Sequence, residues 1–338
     1  MTRLQWTILL LVALASIAQM VPFLHEPYWM VKTRAPKAYS EDRLLVRRAA
    51  TRGLGRMLRD PWVIRRYWRP VTSGWAWITY RFAGMNPAPY RLLMGLAHAL
   101  AAVLVALLAV RLSGVGWAGP LAGAAFAFVW WSFWPRQWIA AAGDVLAAPL
   151  VAGAALCSLN GRWGRFSVLS ALALGARELV VLCLWSLLPR RPRLAAPVVV
   201  AVPALAWAGF HWSYTARALN LSEYVPHGVA PCQLAVLGVM LVCLLAIRRE
   251  TWRRHWPLLL PAVALTVMAW FSGDRYLYPA GVLLFPVLAG QLSADRARNR
   301  PIIAACLLVV VVSWAIYPQL ARELTTATPG PWLGWTVR

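Results

Sequence analysis

The chain has 338 residues, of which 61% are hydrophobic and 13% charged. Soluble domains are roughly half apolar and about a quarter charged, so an ordinary water-soluble domain is excluded. Lys and Arg number 34 against 11 Asp and Glu, a net charge of +23. The basic residues flank apolar runs and build no nucleic-acid module, which sets nucleic acid aside and leaves anionic lipid headgroups and phosphorylated lipids as the matching partners.

In chain order, Arg3 precedes a first apolar run, Leu4–Leu24. It is longer than the about 7–15 residues of a signal-peptide core and has no evident small-x-small cleavage site, so it is expected to be a retained span. A polar segment, His25–Pro89, forms a large first loop. Within it Val46, Ala49, Ala50, Gly53, Leu54 and Met57 make one helical stripe, with Arg43, Arg47, Arg48, Arg52, Arg56 and Arg59 mainly opposite. That pattern predicts a helix lying in the membrane interface.

Apolar runs then cover Tyr90–Leu112, Trp117–Trp134, Trp138–Leu159, Phe166–Leu188, Leu194–Trp212, Pro231–Ile247, Trp256–Phe271, Tyr278–Leu292 and Pro301–Tyr317. Runs of roughly 17–25 residues cross a bilayer as helices, whereas buried strands last only about 4–8. Trp117, Trp134, Trp138 and Trp256 at run ends fit an interfacial belt. The five cysteines show no metal spacing and read as small buried apolar residues.

Short Arg-rich loops set the orientation: Gly161–Arg165, Arg190–Arg193, Ile247–His255 and Asp295–Arg300. All lie on the cytoplasmic side with Arg3 only if Phe166–Leu188 enters and returns as two short helices turning near Ala176–Glu178. A single straight span is the alternative. The paired arrangement gives an all-α polytopic membrane protein of about eleven transmembrane helices, N-terminus inside and C-terminal tail outside. The whole chain, 1–338, is read as a single transmembrane domain, and its first loop is extracytoplasmic.

Carboxylates are scarce, so each is informative, and ionisable residues inside apolar spans default to function. Glu26, Asp144, Arg177, Glu178, Asp274 and Arg275 fall at one level in this topology, the outer surface, while His98 lies within a run. Each has a plainer alternative. Glu26 would be a solvated loop carboxylate, Asp144 a cap or partner for Arg136, Arg177–Glu178 a turn held by local contacts, Asp274–Arg275 a stop charge, and His98 a hydrogen-bond partner for a neighbouring helix.

Four segments carry a resemblance. Tyr67–Leu108 contains Arg69, Pro70, Asn86, Pro87, Tyr90 and His98; Trp138–Leu150 contains Asp144; Ala173–Leu182 contains Arg177 and Glu178; Gly273–Gly281 reads GDRYLYPAG. In this order they resemble the C-type superfamily of membrane glycosyltransferases, near its protein O-mannosyltransferase-like branch. The resemblance implies transfer of a sugar, a mannose-like hexose in that branch, from a polyprenyl-phosphate donor to a hydroxyl of a protein, lipid or glycan acceptor. The reaction would invert the anomeric carbon at the outer face of a bacterial inner membrane.

It further implies that an acidic residue just after the first span is the catalytic base, here Glu26, with His25 where the family has Asp and Glu41–Asp42 as the fallback. Asp144 would orient the acceptor or a divalent metal. Arg275 and Arg69 would offset the phosphate charge, with His25, His98, Arg177, Glu178, Asp274 and Tyr276 lining the substrate. A catalytically inactive membrane subunit and a lipid or anion transporter are the competing readings. The absence of an internal repeat argues against the transporter.

Overall fold

The computed structural model describes residues 1–24, 41–60, 68–129, 136, 139–187, 247–272 and 277–294, and every regular element among them is helical. The α-helices are α1 (Arg3–Ala18), α2 (Glu41–Thr51), α3 (Leu54–Arg59), α4 (Pro70–Ala83), α5 (Pro87–Ser113), α6 (Ala118–Phe128), α7 (Ala142–Leu159), α8 (Trp163–Ala176), α9 (Val181–Ser186), α10 (Arg249–Ser272) and α11 (Leu277–Ala294). Short 3-10 turns occupy Val21–Phe23, Ile139–Ala141 and Glu178–Val180. Among the described residues, Pro87–Ser113 and Ile139–Leu159 are long and apolar enough to cross a membrane. The expected spans Leu194–Trp212, Pro231–Ile247 (all but Ile247) and Pro301–Tyr317 lie outside the described residues.

Two helices present apolar outward faces while burying polar side chains. On α1, Leu4, Leu10, Leu11 and Leu14 are exposed while Gln5 and Ser16 are buried. On α5, Leu92, Leu93, Leu96 and Leu100 point outward while Arg91 and His98 are fully buried. In water each exposed leucine forfeits about 1.5–3 kcal/mol of burial. Against lipid the same arrangement is favourable, because polar groups there must be satisfied inside the protein.

Packing divides the chain into two compact units. One draws on Met1–Ser16, Ala102–Trp134 and Ser222–Arg338. In it α6 packs on α11, and α10 on α11. Gly119 and Gly123, four apart on α6, let backbones approach closely: a Cβ at Gly123 would stand 3.2 Å from the Ala102 carbonyl oxygen and 2.9 Å from Leu9 Cδ1. Such small-residue notches are how helices associate without a hydrophobic driving force. Phe126 and Tyr278 add a ring contact at 5.2 Å. Helix α10 breaks at His255, two residues before Pro257, whose ring and missing N–H interrupt the ladder.

The other unit draws on Ile17–Ala101 and Pro135–Leu221. Its centre is the antiparallel pair α7 and α8, with α4 packed on both. The apolar run Phe166–Leu188 is not one straight helix. Arg177 is extended (φ −151°, ψ 122°) and ends α8. The chain then passes through the 3-10 turn and α9 back to Leu187, whose carbonyl accepts a hydrogen bond from Ser158 near the end of α7. Since α8 starts four residues after α7 ends, Leu187 returns to the level at which α8 began.

The loop helices pack onto α4. Val46, Ala49 and Met57 of the expected stripe are buried, with Leu45 beside them, while Ala50 and Gly53 are exposed; α2 and α3 both contact α4. Trp77 Nε1 donates to the Arg52 carbonyl at 3.1 Å, and Trp68 Nε1 to the Leu58 carbonyl at 2.7 Å. An amphipathic period shows that a helix has an apolar face but does not name what covers it. Arg47, Arg56 and Arg59 remain exposed on the outer side.

Candidate functional site

The site grows from the start of α4. Pro70 opens the helix, its fixed φ and missing N–H suiting the first position. This leaves Arg69 as the cap residue with its side chain directed inward, 6% exposed. Its guanidinium grips Glu178, 109 positions away, through Nε to Oε2 at 2.8 Å and Nη2 to Oε1 at 2.6 Å. Glu178 is placed there by the break after α8. The same break is pinned by Thr72, whose hydroxyl donates to the Ala176 carbonyl at 3.0 Å. Only glycine fits at 143, since a Cβ there would stand 2.6 Å from that carbonyl oxygen.

Arg177 turns toward Asp144 in the first turn of α7. Arg177 Nε lies 2.8 Å from Asp144 Oδ1, an ion pair whose N–H is not aimed along the hydrogen-bond direction. Arg177 Nη1 is also 3.9 Å from Glu178 Oε1. Two carboxylates and two guanidiniums therefore form one charge-balanced, buried cluster. The Arg69 and Arg177 charges and the Arg69 hydrogen bonds offset the cost of burying the Glu178 carboxylate. Asp144 is 1% exposed, and its Oδ2 accepts no hydrogen bond among the described residues. A buried carboxylate oxygen without a donor is costly, and a hydroxyl brought by a substrate would satisfy it.

Of the residues singled out in the sequence, the fold thus brings together Arg69, Asp144, Arg177 and Glu178. His98 is fully buried on α5. Glu26, His25, Asp274, Arg275 and Tyr276 lie outside the described residues. Asp144 pairs with Arg177, whereas Arg136 holds Gln19. Asn86, Pro87 and Tyr90 prove to build the start of α5. Asn86 Oδ1 caps the Ala88 N–H at 3.0 Å, Pro87 takes the first position, and the Tyr90 hydroxyl reaches the Gly84 carbonyl at 3.1 Å. Among the described residues no three His, Cys, Asp or Glu side chains gather as a metal site, and each carboxylate of the cluster already faces an arginine.

Three further charges are buried: Asp42, named in the sequence as part of the fallback base, and two arginines that were given no part in the site. Asp42 is fully buried and accepts from Ala140 N at 2.7 Å and Ile139 N at 3.3 Å. Its negative charge sits at a helix start, where the first N–H groups lack intrahelical partners. Asp42 is thereby engaged as a cap rather than open as a base. Asp42→Ala should lower stability in detergent by about 1–3 kcal/mol, the cost of stranding buried donors. Asp42→Asn should lose less, its amide oxygen still accepting; thermal unfolding of both variants checks this. The other two are Arg91 and Arg136, 0% and 1% exposed. The i, i+4, i+7 spacing of Arg91, Gly95 and His98 marked a shared face.

No protein-family model and no curated protein sequence matches the chain. Among solved structures, two crystal structures of ArnT from Cupriavidus metallidurans are similar to it. For the one bound to undecaprenyl phosphate the TM-score is 0.56 at 16% identity, over 98% of this chain and 66% of that one. For the apo state it is 0.57 at 16% identity, over 98% and 67%. This chain spans about two thirds of the length of the ArnT chains it matches. The likeness is one of fold, and it does not reach the O-mannosyltransferase-like branch. The chain shares the fold of these ArnT structures.

Proposed function

We propose that the chain is an integral membrane glycosyltransferase that moves a sugar from a polyprenyl-phosphate donor to an acceptor hydroxyl at the outer membrane face, with inversion. One observation carries this reading. Motif residues as far apart as Arg69 and Glu178 meet with Asp144 and Arg177 in one buried charge cluster, within a fold similar to an ArnT structure that holds undecaprenyl phosphate. Lipid-facing leucines on α1 and α5 support the membrane setting.

In this reading Glu26 accepts the proton of the attacking hydroxyl, which becomes nucleophilic as the bond to the anomeric carbon forms. The lipid phosphate leaves with the bonding pair, its charge offset by guanidinium. The bidentate edge of Arg69 is occupied by Glu178, so Arg275, with Asp274 and Tyr276 beside it in sequence, is assigned the donor phosphate. Asp144 Oδ2 orients a substrate hydroxyl. His25, where the family has Asp, favours one second reading: an inactive subunit with the same fold.

A structure of the full chain with undecaprenyl phosphate tests the assignment. The phosphate is expected within ion-pair distance of Arg275 or Arg69. A phosphate remote from both would end it.

A further inference from the structure

The last turns of α4 direct apolar side chains outward. Phe82 is 88% exposed, and Ile78, one turn before it on the same face, is 51% exposed. Met85, in the turn that follows the helix, is also exposed. In water such side chains forfeit their hydrophobic transfer energy. The adjacent face is cationic. Trp77 and Arg81 are likewise one turn apart, and the Arg81 guanidinium lies 4.8 Å from the centre of the Trp77 ring. Arg81 is itself exposed. Arg47, Arg56 and Arg59 are exposed on α2 and α3, the two helices packed on α4. Of the carboxylates near them in sequence, Asp42 is buried and Asp60 pairs with Arg52.

The fold sets the depth of this edge. Gly84, at φ +57°, turns the chain between α4 and α5. The Tyr90 hydroxyl donates to the Gly84 carbonyl at 3.1 Å, and the Tyr90 ring meets Trp75 edge-on at 5.7 Å. The end of α4 is thereby tied to the first turn of α5. The outward leucines of α5 begin at Leu92, which follows Pro87 by about 8 Å of helix. Interfacial helices bury their apolar face about 5–10 Å into the headgroup and acyl boundary. The precision required is only the thickness of that layer, and two direct contacts to α5 supply it.

We infer that the end of α4 is an interfacial anchor: Ile78 and Phe82 enter the leaflet in which α5 starts, and Arg81, backed by the arginines of α2 and α3, holds anionic lipid headgroups there. A cation beside an apolar wedge matches a lipid whose phosphate and acyl chain sit at those two levels. The anchor needs a bilayer but no sugar transfer, so it shares only the membrane setting with the proposed function.

The test uses the full chain in nanodiscs of equimolar phosphatidylcholine and phosphatidylglycerol. A photoreactive diazirine is carried near the top of the acyl chain of each lipid in turn, and peptide mass spectrometry locates the adducts. Adducts are expected at residues 78–85 as well as on Leu92–Leu100. At 78–85 phosphatidylglycerol should be favoured by about fivefold, the worth of one interfacial cation. Arg81→Gln should bring that ratio near one, and so should high salt. Phe82→Ser, at an exposed position, should lower adducts at 78–85 by about fivefold while those on α5 stay unchanged. Adducts on Leu92–Leu100 with none at 78–85 would overturn the inference, whether water or a second copy of the chain covers the edge. Equal labelling of 78–85 by the two lipids in wild type would overturn the headgroup assignment. Loss of adducts from Leu92–Leu100 as well would remove the bilayer itself, and with it the proposed function.

Discussion

Glu178→Ala is expected to lower the unfolding free energy by about 3–5 kcal/mol, the usual cost of removing one partner from a buried ion pair. Arg69 loses both hydrogen bonds at 2.6 and 2.8 Å, and Arg177 loses a carboxylate at 3.9 Å. Of the cluster's two carboxylates only Asp144, beside Arg177, then remains. The loss should exceed the Coulomb gain of the pair itself, because it includes the desolvation of charges left behind. A double variant, Arg69→Met with Glu178→Leu, should recover much of it, since apolar replacement of both partners is often neutral. Unfolding in mild detergent, run as a double-mutant cycle, separates the two terms. A cycle showing no coupling between positions 69 and 178 would mean the pair is not what holds the break after α8.

Residues of this cluster illustrate what a sequence can and cannot show. An Arg-Glu pair inside an apolar run is costly unless the chain turns there, so the division of Phe166–Leu188 at Arg177 had a local signal. The family resemblance flagged Arg69 and Asp144 as well. Their pairing had none: Arg69 meets Glu178 across 109 positions, and Asp144 chose Arg177 over Arg136. The stripe on α2 and α3 was legible as a face, yet lipid and α4 are equally apolar coverings. Asp42 was unreadable as a cap because its partners at 139 and 140 are donated by another helix start. Helix periodicity reports which residues turn inward; the partner they find there is decided by tertiary packing.

The last expectation concerns the proposed base. Glu26→Gln keeps size and hydrogen-bonding capacity but removes a carboxylate able to take a proton. Sugar transfer should fall by about 10²–10⁴, the usual worth of a positioned general base, while folding and undecaprenyl phosphate binding stay as in wild type. Asp42→Asn is the matched control, because that carboxylate is already engaged by two backbone N–H groups; it should leave the pH–rate profile unchanged. Transfer that survives Glu26→Gln would move the base elsewhere in the chain. A chain that shows no transfer in either form, yet whose cellular phenotype is unchanged by the substitution, would be the inactive subunit that its fold also permits.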